Sequence, residues 1–120
     1  MSDLEIENLK GAIAFAKSTI QSLILVNGAA AGGLLTFYGN HPSDFKSATV
    51  RLALHGSLVS FRTGVFLAVV CATLAYLAQR CIATKAHDAW EWIFTVPAIL
   101  AALGSVAEFG NGLYLGSAAL

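Results

Sequence analysis

The sequence predicts an all-α integral membrane protein with three transmembrane helices that assemble as a homo-oligomeric helical bundle. Three observations lead there. Hydrophobic residues make up 57% of the chain and charged residues 12%, about half the charged share of a soluble domain. Mean hydropathy is +0.70. The seven basic and seven acidic residues gather mainly at 3–17, 41–62 and 80–91, leaving long uncharged runs between them. A chain of 120 residues is one domain by size, so residues 1–120 are read as a single three-helix membrane unit.

The first helix is expected at about 11–38, GAIAFAKSTIQSLILVNGAAAGGLLTFY, whose clean core from Ser22 to Tyr38 holds Asn27 as its one strongly polar side chain. The second is expected at about 52–79 and is most apolar from Thr63 to Ala78. The third is expected at about 92–119, with Glu108 as its sole charge. Each is long enough for the roughly 20 apolar residues that a spanning helix needs. None alternates as a strand would, and in lipid a helix satisfies its own backbone groups.

The joins agree. FYGNHPSDFK, residues 37–46, gathers Gly, Asn, Pro, Ser and Asp, which end helices and build turns; Ser43 or Asp44 is expected to cap the helix that follows. RCIATKAHDAWEW, residues 80–92, mixes charge with Trp90 and Trp92, the interface anchors that mark entry of the third helix into lipid. Pro97, about one turn further in, is expected to bend that helix without ending it. The acidic N-terminus reads as a solvated helix start favourable to negative charge, and a secretory leader would begin basic. With three crossings, Lys10, Lys17, Arg80 and Lys85 share one side against Lys46, Arg51 and Arg62 on the other. That count favours a cytoplasmic N-terminus only slightly.

Small residues mark close helix packing. Gly28 and Gly32 are four apart, and Ala29 and Gly33 repeat that spacing one step on, the interval that lets backbones approach. Gly104, Gly112 and Gly116 do the same in the third helix. Two such stripes exceed what one small chain needs for itself, which points to contact between copies.

Glu108 falls on the Gly104, Gly112, Gly116 stripe, with Asn111 beside it. A charge near the bilayer centre costs about 2.5–3.5 kcal/mol or more, so such a residue normally faces protein or water. Measured from the midpoints of the expected helices, Glu108 lies roughly 6 Å towards the C-terminal side at 1.5 Å per residue. Arg62 and Asn27 come to comparable depth on the same side, and His55 lies nearer the surface. Asn27, Arg62, Glu108 and Asn111 therefore form the expected intramembrane polar set. One reading is a structural cluster in which Arg62 neutralises Glu108. A second leaves Arg62 reaching outward to the interface. The third is a water-filled path between copies, lined by a carboxylate ring that favours cations.

Catalysis is not expected. There is no phosphate loop, HExxH or GxSxG, and His41, His55 and His87 are scattered. Cys71 and Cys81 lack ligand spacing and read as a small apolar core group and an ordinary thiol near the interface. No metal and no cofactor are expected. Zero net charge and the absence of a basic patch give nucleic acid nothing to bind.

The stretch SLILVNGAAAGGLLTFYGN, residues 22–40, resembles the first membrane helix of small bacterial inner-membrane proteins of unassigned function, some encoded in anti-phage defence loci. The resemblance implies a multi-pass inner-membrane location and a role for Asn27 and Gly28 in a membrane-disrupting effector. The residues and the resemblance together suggest an ion-conducting pore or permeabilising effector in the bilayer. The alternative is a non-conducting anchor or regulatory subunit that holds a soluble or membrane partner protein. No inverted repeat suggests a transporter.

Overall fold

The computed structural model describes the backbone of residues 2–83 and 88–120, and the side chains of 2–82 and 92–120. Helix α1 runs Asp3–Asn40, α2 runs Ala48–Ala83 and α3 runs Asp88–Ser117, with a short 3-10 turn at Pro42–Phe45. All three are long and apolar enough to cross a membrane. Each begins earlier than its apolar core alone suggested, because polar first turns extend it outwards.

For α1 the extension has a local cause. The Ser2 hydroxyl accepts from the Glu5 amide at 3.3 Å, and the Glu5 carboxylate accepts from the Ser2 amide at 2.6 Å. That reciprocal capping box satisfies two otherwise orphaned donors, and Asp3 and Glu5 complement the helix dipole.

At the far end Pro42 starts the 3-10 turn, and Phe45 folds back edge-on to Phe37 and Tyr38 at ring separations of 5.9 and 5.1 Å. Phe45 is buried with Leu54 and Ala119, so the turn closes one end of the bundle over the end of α3. The cap of α2 differs from the one expected. Ser43 and Asp44 lie inside the 3-10 turn, and Ser47 stands before α2, its carbonyl accepting from the Arg51 amide at 3.1 Å.

Helices α2 and α3 form the tight pair; α1 lies mainly against α2 and touches α3 less. On α1 only Leu23 and Asn27 are buried. Two apolar clefts, of about 450 and 300 Å³, open along the seam between α1 and α3. The first is lined by residues 30–37 of α1 and the second by residues 15–20, so Asn27 sits between them. The bundle measures 62 × 23 × 16 Å, about twice the ~30 Å hydrocarbon thickness along its axis. Helix α3 runs on through Pro97. Lys85 and His87 of the second join lie outside the described residues, as does the side chain of Trp90.

Candidate functional site

The α2–α3 seam is built from small residues. Along α3 and just past its end the positions Ala98, Ala101, Ser105, Gly112, Gly116 and Ala119 are buried. Spaced three and four apart, they follow a heptad-like stripe, and the one half-buried step in it, between Ser105 and Gly112, is Glu108. On α2 Ser57, Ser60, Gly64, Ala68, Cys71 and Ala78 supply the opposing buried face. Where these small residues face one another, the backbones come close enough for hydroxyls to reach across.

Two serines do so reciprocally. Ser57 of α2 donates to the Gly112 carbonyl at 2.6 Å, and Ser105 of α3 donates to the Gly64 carbonyl at 2.8 Å. Both glycines are needed where they stand. A Cβ on Gly112 would lie 2.5 Å from the Phe61 ring, and a Cβ on Gly64 would overlap the Asn27 amide.

Asn27 brings α1 into this seam and is fully buried. Its amide nitrogen donates to the Leu23 carbonyl at 2.9 Å and to the Ser105 hydroxyl oxygen at 3.3 Å. Among the described residues its Oδ1 has no conventional donor. The direction in which a Cβ would leave Gly64 runs onto that oxygen, so one Gly64 Cα–H points at it, a weak donor common at helix–helix contacts.

Asn111 donates to the Ser60 hydroxyl at 2.8 Å on the flank of the seam. Gly104 approaches Leu67, and Leu115 approaches the Cβ direction of Gly56 at 3.1 Å, on the same flank. Glu108 belongs with them, because helix residues three and four apart share a face. It is half-buried. Ser105 meets Gly64 and Asn111 meets Ser60, so Glu108, between them, stands level with residues 60–64 of α2. Arg62 is in that segment and is exposed.

The sequence-derived polar set thus divides. Asn27 is drawn into the three-helix junction with Ser105 and Gly64. Asn111 joins Ser60. Arg62 and Glu108 share a depth but do not meet. Among the described residues they form no ion pair, and neither has a hydrogen-bond partner. His55 is exposed on the same outward side of α2 as Arg62.

The glycine stripes divide too. Gly104, Gly112 and Gly116 face α2, with Gly116 opposite the Ser57 hydroxyl, whereas Gly28, Gly32 and Gly33 have nothing within 4 Å of their Cβ positions. Trp92 is exposed, as an interfacial anchor requires.

Gly64, Ser57, Ser60 and Ser105 were not singled out from the sequence as site residues. The signal was the three-and-four spacing of small residues along α2, which mirrors that of α3. Among the described residues no group of His, Cys, Asp and Glu is placed to hold a metal. Cys71 is buried against Ala98 and Ala101. Comparison with protein-family models, with curated proteins and with solved structures yields no match for this chain.

Proposed function

We propose that the chain assembles with copies of itself in a bilayer into an ion-conducting pore or permeabilising effector, in which the α2–α3 flank carrying Glu108 and Asn111 borders the water path and Arg62 stands at its edge. The supporting observation is Glu108 itself: a half-buried carboxylate with no partner among the described residues, in a helix whose other residues from Trp92 onwards are uncharged.

Its depth follows from the aromatic residues. Trp92 and Tyr114 are both exposed on α3 and stand about 33 Å apart at about 1.5 Å per residue, close to the ~30 Å hydrocarbon thickness. Glu108 then lies inside the bilayer, where a lone charge costs about 2.5–3.5 kcal/mol or more. Water between copies, or a group from another copy, removes that cost. A water path within one chain has no room in the α2–α3 seam, since its facing residues are small and in contact. Glu108 opens on the flank away from the α1–α3 clefts, so in this reading the path it borders runs between chains. The bacterial inner membrane and a phage-defence setting belong to this proposal through the residue 22–40 resemblance alone.

The test is ion flux from vesicles reconstituted with the pure chain. Flux that depends on the chain, with cation preference reduced in Glu108→Gln, supports the pore. Vesicles that hold their gradient, with a second protein co-purifying from the native membrane, support the anchoring alternative instead.

A further inference from the structure

We propose that Arg62 of one copy ion-pairs with Glu108 of a second copy, so that each seam flank is completed by a neighbour's guanidinium. This deepens the pore reading and rests on its premise that copies assemble.

The first ground is charge. Between residues 52 and 79 Arg62 is the one Lys, Arg, Asp or Glu, and between 92 and 120 Glu108 is the one. The membrane-crossing part of the α2–α3 pair therefore holds one cation and one anion. Among the described residues of one chain they do not pair, because their helices aim them apart. Arg62 is two residues before Gly64, roughly 160° around α2 from the seam at 100° per residue, and it is exposed. Glu108 opens on the seam flank away from α1, beside Gly104 and Asn111.

The second ground is depth. Copies inserted by one route share one orientation, so the axis relating them runs along the membrane normal. Rotation about that axis moves a side chain sideways and never up or down. A residue can then meet a neighbour's residue only at its own depth. The hydrogen bonds Ser105–Gly64 and Asn111–Ser60 hold Glu108 level with Arg62. The two charges meet this condition. The face between them on α2 is open, with Phe66 65% exposed. An arginine fork there satisfies a carboxylate with paired hydrogen bonds.

The test counts subunits by single-molecule photobleaching in phosphatidylcholine–phosphatidylglycerol vesicles across a dilution series. The arms are the unaltered chain, Arg62→Glu, Glu108→Arg and the double reversal. Each single reversal is expected to weaken assembly about a hundredfold, since it leaves like charges facing one another at the contact between copies. The double reversal is expected to restore it. Equal assembly in all four arms, a double reversal no better than either single, or a monomeric unaltered chain overturns the pairing.

Should a reversed chain fail to insert, a neutral arm decides the matter. Chains carrying Arg62→Cys are mixed with chains carrying Glu108→Cys, both in a background with Cys71→Ala and Cys81→Ser. Mild oxidation is expected to give the mixed disulfide dimer preferentially, and its absence overturns the proposal. Ion flux is recorded on the same vesicles. Rescue by the double reversal in vesicles that do not leak supports the pairing and removes the pore. Leaking vesicles without rescue do the reverse.

Discussion

Ser105 and Gly64 meet across the α2–α3 seam with the serine hydroxyl 2.8 Å from the glycine carbonyl, and the same hydroxyl oxygen accepts the Asn27 amide at 3.3 Å. One oxygen therefore links all three helices. Clefts part α1 from α3 on either side of this layer, so the junction is where α1 is fastened. In lipid there is little hydrophobic gain from bringing helices together, which leaves packing and such hydrogen bonds to hold them.

Asn27→Ala is expected to loosen α1 while leaving α2 and α3 paired. Interhelical hydrogen bonds in membranes are worth about 0.6 kcal/mol on average and up to about 1.7, so a loss of about 1 kcal/mol is expected in detergent unfolding. Ser105→Ala removes the link to both other helices and should cost more. The double substitution should cost less than the sum, because both singles break the Asn27–Ser105 bond. Strict additivity would show that the bond does not couple the helices.

Gly64→Ala tests the close approach. The added methyl would occupy the space of the Asn27 amide, and overpacking of this kind typically costs about 1–3 kcal/mol. Cysteine cross-linking between α1 and α2 should fall with it. A Gly64→Ala chain as stable as the original would mean that Asn27 can retreat without loss.

The two glycine stripes should respond differently. Gly112→Ala meets the Phe61 ring, whereas Gly28→Ala and Gly32→Ala meet open space. The first is expected to lower the stability of the single chain. The other two should leave it unchanged or raise it slightly, by removing glycine's freedom in an exposed helix. If Gly28→Ala and Gly32→Ala instead weaken subunit assembly, that face of α1 is a second contact between copies.

Much of this architecture was legible before any coordinates. Apolar length alone placed three helices, and the Gly and Pro at residues 39–42 placed the first join. The stripe of Gly104, Gly112 and Gly116 was legible as a packing face. Which partner it packs on was not, since spacing alone does not distinguish a neighbouring helix in the chain from one in another copy. The serine clamps were hidden for a different reason. Ser22, Thr36, Thr63 and Thr73 each donate to the carbonyl four residues earlier in their own helix, and by residue type nothing distinguishes them from Ser57 and Ser105. Only the facing stripes of small residues bring α2 and α3 near enough for the hydroxyl to choose the other helix. The depth match of Arg62 and Glu108 was legible by counting from helix midpoints. Their failure to pair depends on rotation about each helix axis, which depth does not fix.

Glu108 stands where the α3 stripe otherwise holds Ala, Ser or Gly, and this yields the sharpest separation of stability from function. Filling that step with a small apolar residue completes the pattern and removes a charge costing about 2.5–3.5 kcal/mol or more at the centre of a bilayer. Glu108→Ala is therefore expected to insert well and to leave the single chain as stable as before or more so, read by thermal unfolding in detergent. The same substitution should abolish cation-selective flux. Glu108→Gln, which keeps the shape and hydrogen-bonding capacity, should retain assembly better than Glu108→Ala but lose the charge preference. If Glu108→Ala instead unfolds the α2–α3 pair, the carboxylate is a structural member of the seam, and the pore reading loses its main support.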